Sequence, residues 1–222
     1  MTTNLFNSLK DKIMNKQVVI FGETHGTKEI PLLFSKFLEE YSSIKDFDLC
    51  LEIPSNEQEN ISNFLSTGNP AFLELNSMDS RDGRKSAEIL ELIKNIYLLN
   101  KNISIFCVDL DYNNQLNKIN ERDNIIAKNI QQNLKDKQLI AFLGNFHAAK
   151  QDIIMNNVIF KTTGSILKKE LNNSLITINL APLKGTFFNN SLKNIEKASD
   201  MDSFYDIIFS IEKVTPCTLE DK

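Results

Sequence analysis

The sequence predicts an α/β fold: a mostly parallel central sheet with helices on both faces and a site at the carboxyl ends of the strands. Three observations predict it. Short runs rich in Val, Ile and Phe alternate with longer stretches whose apolar residues recur at helical spacing. The short runs are apolar at consecutive positions, as strands covered on both faces must be. Several of them stop at a glycine or proline, which closes a strand and opens a loop.

The elements follow in order. Residues 5–14 put Leu5, Phe6, Leu9 and Ile13 on one side of an N-terminal helix within residues 1–15, expected to dock on the domain. Residues 17–21 (QVVIF) form the first strand, closed by Gly22. Residues 30–41 carry Leu33, Phe34, Phe37, Leu38 and Tyr41 on one helical face. Residues 47–53 (FDLCLEI) form the second strand, stopped by Pro54. Ser55 begins a helix over 55–65 with acidic residues in its first turn. Residues 67–82 have turn chemistry, with a short helix at 71–75. A strong amphipathic helix spans 85–99, a third strand 103–110, a long helix 115–134 and a fourth strand 138–143, which ends at Gly144. A short helix at 165–171, a strand at 175–180 and a last strand at 206–211 complete the reading.

The 222 residues fit a single domain, with residues 183–222 as a less regular C-terminal extension. A chain of this size buries roughly 70% of its unfolded surface, so it needs no disulfide or metal merely to fold. Cys50, Cys107 and Cys217 are odd in number and far apart, and two lie inside apolar strands. They read as reduced thiols packed as small hydrophobes. The net charge of −4 argues against nucleic acid as a partner. No apolar run approaches the ~20 residues of a membrane span. Residues 1–15 have no apolar signal region, so a cytoplasmic location is expected.

Ligands of parallel sheets bind beyond the carboxyl ends of the strands. After the first strand comes Gly22-Glu23-Thr24-His25-Gly26, the second ends in Glu52, the third in Asp109, and after the fourth comes Gly144-Asn145-Phe146-His147. His25 and His147 are the only histidines, and each stands three residues after a strand-closing glycine. With Glu23, Glu52 and Asp109 they suffice for either of two sites. One is a divalent metal centre (Mn, Fe or Zn) held by His25, Glu52 and His147. The other is metal-free, with a histidine activating water and a carboxylate orienting it. Asn145 either caps the segment that follows it or donates to a substrate. There is no Gly-x-Ser-x-Gly elbow and no His-Glu-x-x-His, and Gly22–Lys28 lacks the spacing of a phosphate loop. The only arginines are Arg81, Arg84 and Arg122. Arg81 and Arg122 either bind a substrate anion, support Glu23 or Glu52 from behind, or tie a helix to the sheet. Arg84 is expected to be solvated.

The pair of Gly-x-x-His motifs, with Glu52 in Leu51-Glu52-Ile53-Pro54 between them, resembles the superfamily of ChaN haem-binding lipoproteins, Tiki and TraB/GumN-type proteins and erythromycin-esterase-like hydrolases. The Gly-Glu-x-His form, Glu57-Gln58 with Phe64 to Gly68, and Glu121-Arg122-Asp123 are most similar to the ChaN-type branch. The resemblance implies a strand-end site containing Glu23, His25, Glu52 and His147; the reading of the residues adds Arg81, Arg122, Asp109 and Asn145 as substrate-binding or supporting candidates. Members differ in chemistry, so the resemblance selects no reaction; the leading expectation is a hydrolase acting on an ester, lactone or amide of a small-molecule or peptide substrate. In that reading His25 activates water, Glu23 or Glu52 orients it or ligates a metal, and His147 is a second base or ligand. The alternative is a haem- or iron-binding protein of ChaN type without turnover, with Tyr41, Tyr97, Tyr112 and Tyr205 as candidate iron ligands. A third reading is an effector or toxin-like domain acting on a host macromolecule. The sequence does not specify an oligomeric state.

Overall fold

The computed structural model describes residues 3–78, 80–111, 121–196 and 202–219. In chain order its elements begin with α1 (Thr3–Ile13), β1 (Val18–Glu23), α2 (Glu29–Tyr41), β2 (Phe47–Pro54), α3 (Gln58–Thr67), α4 (Ala87–Leu98) and β3 (Ile105–Asp109). They continue with α5 (Arg122–Asn133), β4 (Gln138–Gly144), the single-turn α6 (Asn145–Ala148), β5 (Ile153–Met155), β6 (Val158–Phe160), α7 (Thr163–Leu171), β7 (Leu175–Pro182), β8 (Thr186–Asn189), β9 (Ser191–Asn194) and β10 (Ile207–Ile211).

Six strands form one sheet in the order β10-β7-β1-β4-β2-β3, and every pairing is parallel. The consecutive apolar runs account for it. Side chains alternate between faces along a strand, so Val19 and Phe21 of β1 face one core, and Val18 and Ile20 the other. The first core receives α1 through Leu5, Leu9 and Ile13, and α2 through Phe34, Phe37 and Leu38. Phe34 stacks on Phe142 with ring centroids 4.2 Å apart and tilts onto Phe21 at 5.0 Å. The second core is covered by Ile126 and Ile130 of α5 and Leu167 of α7. The three cysteines are free and buried, and burial pushes the Cys107 thiol up to about 12 and the Cys217 thiol up to about 11.

Local chemistry sets several boundaries. Ser86 caps α4 by accepting the Ile89 N–H. Gly68, at φ 69°, ends α3 in the left-handed conformation that glycine adopts at no steric cost. Ser55 opens a 3₁₀ turn and α3 begins only at Gln58; the expected short helix at 71–75 is likewise a 3₁₀ turn, Pro70–Leu73. Of the long helix expected over 115–134, the part before 121 lies outside the described residues, and α5 begins at Arg122.

Two hairpins, β5–β6 and β8–β9, were not expected. The first turns at Asn156-Asn157, both at positive φ, the conformation tight hairpins require. The second turns at Asn190, also at positive φ. Among the described residues after 183, β10 joins the main sheet beside β7, and the segment 214–219 runs back over the strand ends. There Thr27 bridges Pro216 and Ser86 bridges Leu219, while the Cys217 N–H donates to the Gly26 carbonyl at 2.9 Å.

Candidate functional site

The parallel sheet brings the carboxyl ends of β1, β2, β3 and β4 to one edge. Glu23 closes β1 and Glu52 lies near the end of β2; their side chains are 5% and 4% exposed. Asp109 closes β3 and is fully buried. His25 sits in the turn after β1, and His147 on α6, directly after β4.

Glu52 is the hub. Its Oε2 accepts the Gly144 N–H at 2.6 Å and lies 3.4 Å from His25 Nε2. Its Oε1 accepts from Arg122 Nη2 at 2.5 Å and lies 3.8 Å from His147 Nε2. Each imidazole has a carboxylate on its other nitrogen: His25 Nδ1 pairs with Glu23 at 2.9 Å, and His147 Nδ1 with Asp123 at 2.8 Å. The two rings therefore approach one carboxylate with Nε2, each braced from behind. Gly144 makes room for this, since a Cβ there would come within 2.7 Å of His25 Nε2.

Two guanidinium groups complete the cluster. Arg122 reaches Asp109 with Nε and Nη2, both at 2.8 Å, as well as Glu52. Arg84 donates to Asp109 at 2.8 Å and to Asp82 at 2.7 Å, and stands 3.5 Å from Glu52. The expected solvated Arg84 is therefore an ion-paired member of the site, with its side chain only 16% exposed. The loop ahead of α4 turns inward because Gly83 packs on Gly26: a Cβ on Gly83 would meet the Gly26 Cα at 2.3 Å. Arg81 lies on the adjoining turn, is exposed, and takes the Asn190 N–H on its carbonyl. Asn145 starts α6, and its carbonyl accepts from the Tyr205 hydroxyl at 2.8 Å. Asp123 also takes the N–H and hydroxyl of Thr163 at the start of α7. The sequence reading passed over Asp123 as a site residue. Its adjacency to Arg122 was the available signal, but neighbouring helix positions do not ordinarily face one point.

Charge in this cluster is unevenly distributed. Burial opposes the positive form of His25, but Glu52 and Glu23 on its two nitrogens overcome burial and push it up to about 10. Burial likewise opposes the Glu52 charge, yet His25, His147 and Arg122 hold it well below the usual carboxylate range. Burial dominates at Glu23 and raises it, with His25 only partly offsetting the effect. His25 is therefore expected as an imidazolium at neutral pH. Proton-detected NMR should follow its ring resonances through a transition near 10 rather than near 6.5; a midpoint near 6.5 would contradict the clamp. The stability contributed by this raised group is complete below its unfolded value of 6.5 and is lost as pH climbs toward 10. The lowered Glu52 acts oppositely: its contribution is complete above 4.5 and is lost on acidification.

The expected metal ligands His25, Glu52 and His147 do meet, but not as a metal centre. Among the described residues no group of three or more His, Cys, Asp or Glu side chains could hold a metal ion. Both Glu52 oxygens are already engaged by hydrogen-bond donors, and two guanidinium groups stand within 3.5 Å of Oε1. Those fixed positive charges oppose a cation there. Tyr41 donates to Gln138, Tyr205 to Asn145, and Tyr97 packs on Phe64; Tyr112 lies outside the described residues.

Beside the cluster, a pocket of about 630 Å³ opens over the ends of β1, β7 and β10. Thr24 and Asn145 connect it to the two histidine loops, and Phe187 and Ile195 form part of its wall. Among the described residues no helix is long and apolar enough to cross a membrane.

These features define a class: a parallel α/β protein with a buried histidine–carboxylate–arginine site at the carboxyl edge of its sheet. No protein-family model and no curated protein matches the sequence. Solved structures do share the fold. A succinoglycan biosynthesis protein superposes with a TM-score of 0.75 at 15% identity, over 97% of this chain and 92% of that one. The erythromycin esterase EreC in its open conformation gives 0.67 at 11% identity, over 86% of this chain and 78% of that one. ChaN of Campylobacter jejuni, solved with cofacial heme, gives 0.55 at 14% identity, over 79% and 86%. The likeness is one of fold, and an erythromycin esterase and a ChaN protein are among the proteins that share it.

Proposed function

We propose that the chain is a hydrolase that adds water to the carbonyl of an ester, lactone or amide, using the two braced histidines around Glu52. The observation that carries the reading is the sharing of one buried carboxylate by both Nε2 atoms, 3.4 Å away on one side and 3.8 Å on the other. At 3.8 Å His147 makes no direct hydrogen bond to Glu52, so its Nε2 is left for a water. Asp123 fixes the tautomer of His147 that leaves Nε2 as the acceptor.

The proton inventory closes. His147 Nε2 takes a proton from water as its oxygen attacks the carbonyl carbon. The carbonyl oxygen becomes an oxyanion, stabilised by the Nε2–H of the His25 imidazolium. The intermediate then collapses, and His147 returns its proton to the departing oxygen or nitrogen. Glu52 keeps both rings turned inward, and Arg122 and Arg84 keep Glu52 ionised and fixed. The carboxylates on both nitrogens of His25 favour its cationic form. That supports giving His25 the oxyanion and His147 the base, the reverse of the roles expected from sequence.

The reading is tested by screening ester, lactone and amide substrates with the wild-type chain, His25→Asn and His147→Asn side by side. Hydrolysis that depends on both histidines is expected. A turnover equal in all three proteins would remove the mechanism.

A further inference from the structure

The pocket beside the cluster has one feature that folding does not explain. Asn179, on β7, is 8% exposed, and its side chain lines the pocket. Its Oδ1 is the one buried side-chain nitrogen or oxygen among the described residues without a hydrogen-bond partner. A buried carboxamide left unpaired costs about 1–3 kcal/mol, so folding alone gives no reason to keep it. Its surroundings give a place for a ligand. In register it stands between Gly22 of β1 and Ile208 of β10. Gly22 keeps the spot open: a Cβ there would lie 3.5 Å from Asn179 Oδ1 and 2.9 Å from the Ala148 Cβ. The rest of the wall includes Pro182, Phe187, Ile195 and Ile208, which are apolar, while Lys193 and Glu196 are exposed and of opposite sign.

We infer that this is the specificity pocket of the site, with Asn179 as its anchor. It takes an apolar, uncharged part of the substrate that carries one hydrogen-bond donor, a hydroxyl or an amide N–H. The terminal torsion of asparagine is broad and soft, so Oδ1 can turn to meet such a donor. Thr24 and Asn145, which line the same pocket, lie next in sequence to His25 and Gly144, so a group held here leaves its carbonyl neighbour at the histidines. The apolar wall and the balanced rim disfavour a charged ligand. This inference rests on the hydrolase reading for its meaning but not for its test.

The test measures binding without turnover. Saturation-transfer NMR titrations compare three neutral probes, each verified uncleaved in its own NMR spectrum: N,N-dimethylbutanamide, N,N-dimethyl-3-hydroxybutanamide and N,N-dimethyl-3-acetamidopropanamide. At least one donor-bearing probe is expected to bind roughly tenfold tighter than the plain one, and the stronger of the two identifies the donor. In Asn179→Ala the ratio should fall to about one, with a melting temperature no lower than wild type, because an unpaired buried group has been removed. No preference in the wild type, or a preference kept in Asn179→Ala, would overturn the inference. Ile208→Trp is the second variant: it fills the pocket from the neighbouring strand and should abolish binding of every probe. Undiminished binding there would also overturn it. Selective binding by a chain that hydrolyses none of the matching esters would count against the catalytic reading alone.

Discussion

His147→Asn is expected to lower kcat by about 10²–10⁴, the usual contribution of a positioned general base, while the protein stays folded. The fold is spared because Asp123 keeps two other donors, the N–H and hydroxyl of Thr163, when the imidazole is removed. Glu52 likewise keeps Arg122 and the Gly144 N–H. Activity and thermal melts measured on the same preparation separate the two effects. Added imidazole should restore part of the rate in the variant, since the proposed mechanism makes the missing group a proton acceptor and not a structural prop. A rate within threefold of wild type would show that His147 takes no proton.

Arg122→Met should have the largest effect on stability. Its guanidinium spans Glu52 and Asp109, both buried, through three hydrogen bonds of 2.5 to 2.8 Å. Methionine fills a similar volume but leaves two carboxylates facing each other with only Arg84 between them. Breaking a buried pair from one side costs about 3–5 kcal/mol. For a domain of this size that lowers the melting temperature by roughly 10 °C. Arg122→Lys should recover little, because a single ammonium cannot reproduce a fork that reaches two acceptors. A melting temperature unchanged in Arg122→Met would mean that Arg84 alone neutralises the pair.

The strands of the main sheet were legible because they are apolar at consecutive positions and several carry a breaker at or near their end: Gly22 as the penultimate residue of β1, Pro54 at the end of β2, Gly144 at the end of β4. Their order was not, since parallel neighbours are joined by long crossovers and local sequence does not state which edge a crossover reaches. Two histidine loops could be placed on one edge because each follows its strand directly. Arg84 and Asp123 could not be read that way. Arg84 arrives from the loop before α4 and Asp123 from the first turn of α5, so their approach depends on how those helices pack. The β5–β6 hairpin was present in the sequence as two apolar triplets around Asn156-Asn157, a turn signal that went unused. Asn179 carries no local signature, because only the folded neighbourhood makes an asparagine unpartnered.

The backbone bridges from residues 214–219 have a consequence for proteolysis. The histidine turn and the arginine loop are both fastened by this one stretch, through Cys217 to Gly26 and Leu219 to Ser86. A cut between β10 and residue 214 would leave the main sheet paired but release both fastenings at once. The acid and base groups of a nicked chain would then sit in a slack arrangement.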